Sequence, residues 1–169
     1  MRHTISVLVR NEAGVLSRVA DLFSSRGYNI ESLTVAPTID QEFSRITIDT
    51  SGEEQVIEQI IKQLNRLIPT LKVADLAKEE SLNYELILCK IKAKEKNRSE
   101  ILRIAEIFGA KIIDTSNGVY TLQIVGEEKQ INAFLDLIRP MGIKELVRSG
   151  QVAISRENQF INVKTVSAS

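Results

Sequence analysis

The sequence predicts an α+β protein of two tandem ferredoxin-like βαββαβ domains, and three observations predict it. Hydrophobic periods of strand and helix type follow one another in the order β-α-β-β-α-β, and then in the same order again. One helix recurs in recognisable form: Leu16-Ser-Arg-Val-Ala-Asp-Leu-Phe23 aligns with Ile101-Leu-Arg-Ile-Ala-Glu-Ile-Phe108. A charged run, Lys78-Glu79-Glu80, lies between the copies and suits a linker. The expected layout is 1-77 for the first domain, 82-155 for the second and 156-169 for a polar tail. A single continuous sheet domain with a chance internal likeness is the competing architecture.

The elements follow in order. Residues 4–10 alternate as a strand, Asn11-Glu-Ala-Gly14 forms a turn, and Val15, Leu16, Val19, Leu22 and Phe23 recur at helical spacing. Gly27 stops that helix. Strands are expected over 28–36 and 43–50, with Pro37 and Asp40 in the connection. Ser51 and Glu54 have the spacing of a capping box, and the helix after them places Val56, Ile57, Ile60, Ile61 and Leu64 on one side. Pro69 precedes a strand over 71–76. In the second copy, strands are expected at 83–93, 111–115, 119–125 and 143–148, with helices at 98–108 and 127–138. The offset between copies is 85 residues from Leu16 to Ile101 but 74 from Gly52 to Gly126, so the second copy has a shorter middle connection.

Composition excludes several functions. Lys and Arg balance Asp and Glu at 22 each, so the basic excess of a general nucleic-acid binder is missing. Aromatic residues are 5% and Trp is absent, which leaves few platforms for stacking bases or sugars. No apolar run reaches the length of a membrane span. The N-terminus has no signal-peptide pattern, and a lone Cys89 forms no internal disulfide, so a cytoplasmic location is expected. Cys89 alternates with Leu86, Leu88 and Ile91 and reads as core. His3 is the single histidine, expected to be exposed near the terminus, so neither a His-rich metal site nor a Ser-His-Asp triad is expected. Carboxylates are expected on helix faces beside Lys and Arg, in solvated pairs.

The chemistry concentrates in Asn11-Glu-Ala-Gly-Val-Leu-Ser-Arg18, where strand one meets helix one. A helix N-terminus offers unpaired N–H groups and a positive dipole end, which suits a carboxylate. Gly14 allows close approach to the backbone, Asn11 supplies donor and acceptor, and Val15 and Leu16 make an apolar wall. Together these fit a small α-amino acid. The same residues also fit a plain turn, shaped by Gly14 and capped by Asn11. In copy two the positions become Lys96, Ser99 and, for Asn29, Asp114, so the scaffold repeats and these residues do not. Asn29 either tolerates a left-handed turn or faces a ligand held by a neighbouring subunit.

The segment running from Asn11 to Pro37, Asn-Glu-Ala-Gly-Val-Leu-Ser-Arg-Val-Ala-Asp-Leu-Phe-Ser-Ser-Arg-Gly-Tyr-Asn-Ile-Glu-Ser-Leu-Thr-Val-Ala-Pro, closely resembles the first domain of the acetolactate (acetohydroxyacid) synthase small regulatory subunits. Ser44-Arg-Ile-Thr and Gln63-Leu-Asn-Arg-Leu continue the match. Glu85-Leu, Lys90-Ile and Arg148-Ser-Gly150 resemble the second domain more loosely. The resemblance implies an ACT domain that pairs as a homodimer and binds valine, or another branched-chain amino acid, as a feedback inhibitor. It implies effector contacts at Asn11, Gly14, Val15 and Leu16 from one subunit and at Asn29 and Ile30 from the other. It implies no catalytic centre in this chain. The partner is then a large catalytic subunit, activated by this one, with thiamine diphosphate, Mg and FAD in that large subunit only.

Three other readings share the strand order. One is a free-standing amino-acid-sensing ACT protein with another client. An RRM-type RNA binder needs aromatics on its central strands, and Ile5–Val9 and Ile46–Asp49 have none. An acylphosphatase needs a glycine-rich phosphate cradle that does not follow Arg10 and Asn11.

Overall fold

The computed structural model describes residues 1–78 and 80–156. The first half runs β1 (Arg2–Arg10), α1 (Val15–Ser25), β2 (Ser32–Pro37), β3 (Phe43–Ser51), α2 (Glu54–Arg66) and β4 (Thr70–Asp75). The second runs β5 (Ser81–Lys92), α3 (Glu95–Phe108), β6 (Lys111–Asp114), β7 (Val119–Gly126), α4 (Glu128–Ile138) and β8 (Ile143–Ser155). The sheets have strand orders β2-β3-β1-β4 and β6-β7-β5-β8, so each half is a four-stranded ferredoxin-like sheet with two helices. The chain divides into two compact units. One is Met1–Leu82 with the described residues from Gln151; the other is Asn83–Gly150.

Alternation along β1 decides which face of the first sheet is packed. Ile5, Val7 and Val9 point to the helices and are fully buried with Ile46 and Ile48 of β3. Val19, Leu22 and Phe23 of α1 and Ile57, Ile60 and Leu64 of α2 close over them. The three-and-four spacing of these residues puts one apolar stripe of each helix on the sheet. The second unit repeats the arrangement with Ile87, Cys89 and Ile91 under Ile101, Ile104, Ile131, Phe134 and Ile138. Phe108 and Phe134 meet edge to face at 5.7 Å between ring centroids.

Several boundaries differ from expectation for physical reasons. Gly27 takes φ +68°, and Tyr28 N–H donates back to Phe23 O, so the chain is still wrapping round the helix end where a strand was expected. Strand β2 therefore begins at Ser32. Pro37 closes β2 rather than lying in the loop, which an edge strand tolerates. The expected capping box is not formed: Ser51 is the last residue of β3, paired with Arg2, and Glu53 is the N-cap of α2 without a side-chain cap. Helix α3 starts at Glu95, three residues early. Strand β8 continues to Ser155. The expected tail lies, from residue 157 onward, outside the described residues.

Residues 151–155 of β8 group with the first unit and cross the sheet face that carries no helix. Gln151 N–H donates to Ser32 Oγ at 3.1 Å, and Thr34 Oγ1 donates to Gln151 O at 2.9 Å. Arg45 donates to Ala153 O at 3.2 Å.

Candidate functional site

Three loops meet at one end of the first sheet. Arg10 N–H donates to Pro69 O at 2.8 Å, and Asn11 N–H donates to Glu42 O at 2.7 Å. The Asn11 side chain donates from Nδ2 to Gln41 O at 2.9 Å. The β1–α1 turn is thereby fixed to the β2–β3 hairpin and to the α2–β4 loop. Asn11 Oδ1 remains an acceptor without a partner among the described residues.

Gly14 is the N-cap of α1, at φ +85° and ψ −2°. A residue with a Cβ is strained there, so the glycine is required by the turn. It has no side chain to cap the helix, and the first turn of α1 has no acidic residue. Val15 N–H reaches Glu12 O at a long 3.4 Å, and Arg18 N–H reaches Gly14 O at 3.0 Å. The N–H groups of Leu16 and Ser17 have no acceptor among the described residues. Helices α2, α3 and α4 instead open with Glu54, Glu95 and Glu128, whose carboxylates lie where the dipole is positive. Among the α-helices of the described residues, α1 alone has no acidic residue in its first turn, which leaves that end open to an outside anion. Val15 is buried in the first core and Leu16 is 43% exposed, so the apolar wall expected of both is offered to solvent by Leu16.

Asn29 and Ile30 lie in the segment that wraps from α1 to β2. Asn29 is exposed, and its carbonyl accepts from Thr50 Oγ1 at 2.7 Å. Ile30 is half-buried against the first core. The 11 residues of α1, about 16 Å of helix, separate this segment from Asn11 and Gly14. Within one chain the two groups of candidate residues stay apart; a shared ligand would need two copies.

Elsewhere the titratable groups are structural. His3 is buried, contrary to the exposed position expected from its closeness to the terminus. It lies on the packed face of β1, where its ring N–H at Nδ1 donates to Asp75 Oδ2 at 2.9 Å. Glu54 Oε2 is 3.8 Å from His3 Nε2, and the Glu54 carboxyl is held below its ordinary range, chiefly by its hydrogen bond with Lys78. Asp75, whose side chain is buried, departs from the expected solvated helix faces, and so do two further strand carboxylates. Asp49 of β3 is fully buried, accepting from Thr4 at 2.7 Å and Arg2 at 3.0 Å. Glu85 of β5 is buried and receives a two-pronged pair from Arg148 at 2.7 and 2.5 Å. The sequence signal for both was present: an acidic residue on a strand otherwise rich in β-branched and apolar residues. Cys89 is fully buried, and burial pushes its thiol up to about 11. Among the described residues no group of three His, Cys, Asp or Glu side chains is placed to hold a metal ion, and no helix is long and apolar enough to cross a membrane.

Comparison with known proteins agrees with this architecture. The family described as AHAS small subunit-like ACT domain matches residues 5–72, and the family described as small subunit of acetolactate synthase matches residues 84–157. The chain is 48% identical over 159 residues to the probable acetolactate synthase small subunit of Archaeoglobus fulgidus, covering 94% of this chain and 99% of that one. It is 48% identical over 162 residues to the acetolactate synthase isozyme 3 small subunit of Escherichia coli, covering 95% and 99%. The crystal structure of the acetolactate synthase small subunit from Thermotoga maritima superposes with a TM-score of 0.86 at 36% identity, covering 94% and 99%. The chain, with its ACT domain followed by a second ferredoxin-like domain, belongs to the family of acetolactate synthase small subunits, the regulatory partners of a catalytic large subunit.

Proposed function

We propose that the chain is the amino-acid sensor of its synthase: it binds a branched-chain amino acid, valine in the typical case, activates the large subunit, and imposes feedback inhibition on it. The observation that carries this is the open N-terminus of α1. Its Leu16 and Ser17 N–H groups take the effector carboxylate, Asn11 Oδ1 takes the ammonium, and the exposed Leu16 side chain meets the aliphatic group. Asn29 and Ile30 of a second copy complete the pocket, so occupancy favours one arrangement of a homodimer. The large subunit favours another, and the difference in affinity for the two arrangements is the regulatory coupling. Thiamine diphosphate, Mg and FAD belong in this reading to the large subunit, and the assembly works in the cytoplasm.

Isothermal titration with L-valine tests the site. Saturable heat in the parent that weakens by about tenfold in Asn29→Ala supports it, since one lost hydrogen bond in a binding site is worth roughly that much. Absence of heat with valine, leucine and isoleucine removes the effector assignment.

A further inference from the structure

Alternation along β3 puts Ile46, Ile48 and Thr50 in one row on the packed face of the first sheet. The third member is a threonine, fully buried like the two isoleucines before it. A buried hydroxyl needs a partner, and this one donates to Asn29 O at 2.7 Å. Asn29 lies on the crossing from α1 to β2, and three hydrogen bonds hold that crossing. Tyr28 N–H donates to Phe23 O at 2.9 Å, Thr50 donates to Asn29 O, and Glu31 N–H donates to Asp49 O at 2.9 Å. The first ties the crossing to α1, and the other two tie it to β3. Of the three, the Thr50 bond alone depends on a side chain. Two neighbouring side-chain contacts, Tyr28 OH to Gln59 at 3.4 Å and Glu31 to Arg2 at 3.4 Å, are long and do not touch the Asn29–Ile30 peptide. The Asn29 side chain is exposed and makes no hydrogen bond among the described residues. Its direction is therefore set by the backbone that carries it, and Thr50 fixes the peptide unit that follows.

We infer that Thr50 is a positioning residue for the effector: by holding the Asn29–Ile30 peptide, it aims the Asn29 amide at a ligand seated on α1 of a second copy. This rests on the reading of Asn29 as part of the effector site, and adds to that site a buried residue that touches no ligand. An amide carried on a loosely held peptide must be ordered when the ligand arrives, and that ordering weakens affinity. Holding the peptide in advance removes the cost. A valine at position 50 keeps the branched shape but leaves Asn29 O without its donor, whereas a serine keeps the donor.

The test is isothermal titration of the full-length chain with L-valine. It compares the parent with Thr50→Val, Thr50→Ser, Asn29→Ala and the Asn29→Ala/Thr50→Val double variant. The expected result is about fivefold weaker binding for Thr50→Val, near-parent binding for Thr50→Ser, and no further loss when Thr50→Val is added to Asn29→Ala. The last comparison separates positioning from lost stability, because a general loosening of the first sheet weakens binding by the same factor in both backgrounds. Thermal unfolding of the same samples reports whether each variant is folded. Thr50→Ala, which also lacks the donor, replaces Thr50→Val in each comparison if the valine variant is unfolded. Parent-like binding by Thr50→Val, equal weakening by Thr50→Val and Thr50→Ser, or the same further weakening in the Asn29→Ala background overturns the positioning role. The effector reading then stands as long as Asn29→Ala itself weakens binding. Parent-like binding by Asn29→Ala, or no saturable heat in the parent, overturns that reading and the positioning role with it.

Discussion

At the scale of single residues, burial decides reactivity. Cys89 lies between Ile87 and Ile91 on the packed face of β5, and its thiol is shifted up from 9.0 to about 11 because a thiolate there would be desolvated. A thiol pKa raised by folding contributes stability in full below the unfolded value, and that contribution is lost as pH climbs through the folded value. Stability should therefore fall between pH 9 and about 11, and substitution of Cys89 by Ala should flatten that fall. A disulfide reagent at neutral pH should leave the native thiol untouched and react at once after denaturation. Rapid reaction in the native protein would mean that β5 opens far more readily than its packing implies. Cys89 was legible in the sequence through alternation with its apolar neighbours. His3 was not, because its burial depends on Asp75, 72 residues away.

At the scale of the element, α1 combines a strong packing face with a weak start. Val15, Val19, Leu22 and Phe23 hold it on the sheet, while its N-terminus has neither a capping side chain nor an acidic first turn. The positive φ at Gly14 is therefore the local feature that sets where the helix begins. A Cβ added at Gly14 meets no atom within 4 Å, so the cost of Gly14→Ala is backbone strain alone. That cost should be about 1–2 kcal/mol in urea unfolding. A loss beyond about 4 kcal/mol would mean that the whole turn rearranges. The glycine, the helix spacing and the stop at Gly27 are all local, which is why α1 was found from sequence with Val15, Val19, Leu22 and Phe23 in its core, while Leu16 of the same apolar set is exposed. The supposed capping box at Ser51 and Glu54 shows the limit of local pattern: pairing of Ser51 with Arg2 extends β3 through the proposed cap.

At the scale of the whole molecule, the first unit needs residues from the far end of the chain. Gln151 and Ala153 provide partners for Ser32, Thr34 and Arg45, on and beside the edge strand β2. Each such bond is worth about 0.5–1.5 kcal/mol net. A chain ending at Gly150 should therefore show faster hydrogen exchange at the amides of β2 and β3 and a lower urea midpoint for the first unit. Unchanged protection there would show that the crossing segment adds nothing to the stability of the first sheet. The proposed effector site has the same dependence on assembly. Asn11 and Gly14 stand at one end of α1, Asn29 and Ile30 at the other.

The sequence by itself determined the element order, the twofold internal repeat, the two apolar cores and the identity of the turn at Asn11–Gly14. These depend on periods of two and 3.6 residues and on glycines at positive φ, which are properties of neighbouring residues. Tertiary structure alone decided that Gln41 and Glu42 anchor Asn11, that Asp49 and Glu85 are buried with their arginines, and that Thr50 holds the backbone of Asn29. It also decided that residues 151–155 belong with the first sheet. Each of these joins residues tens of positions apart through strand register, and register is fixed only when the whole sheet has assembled over its core.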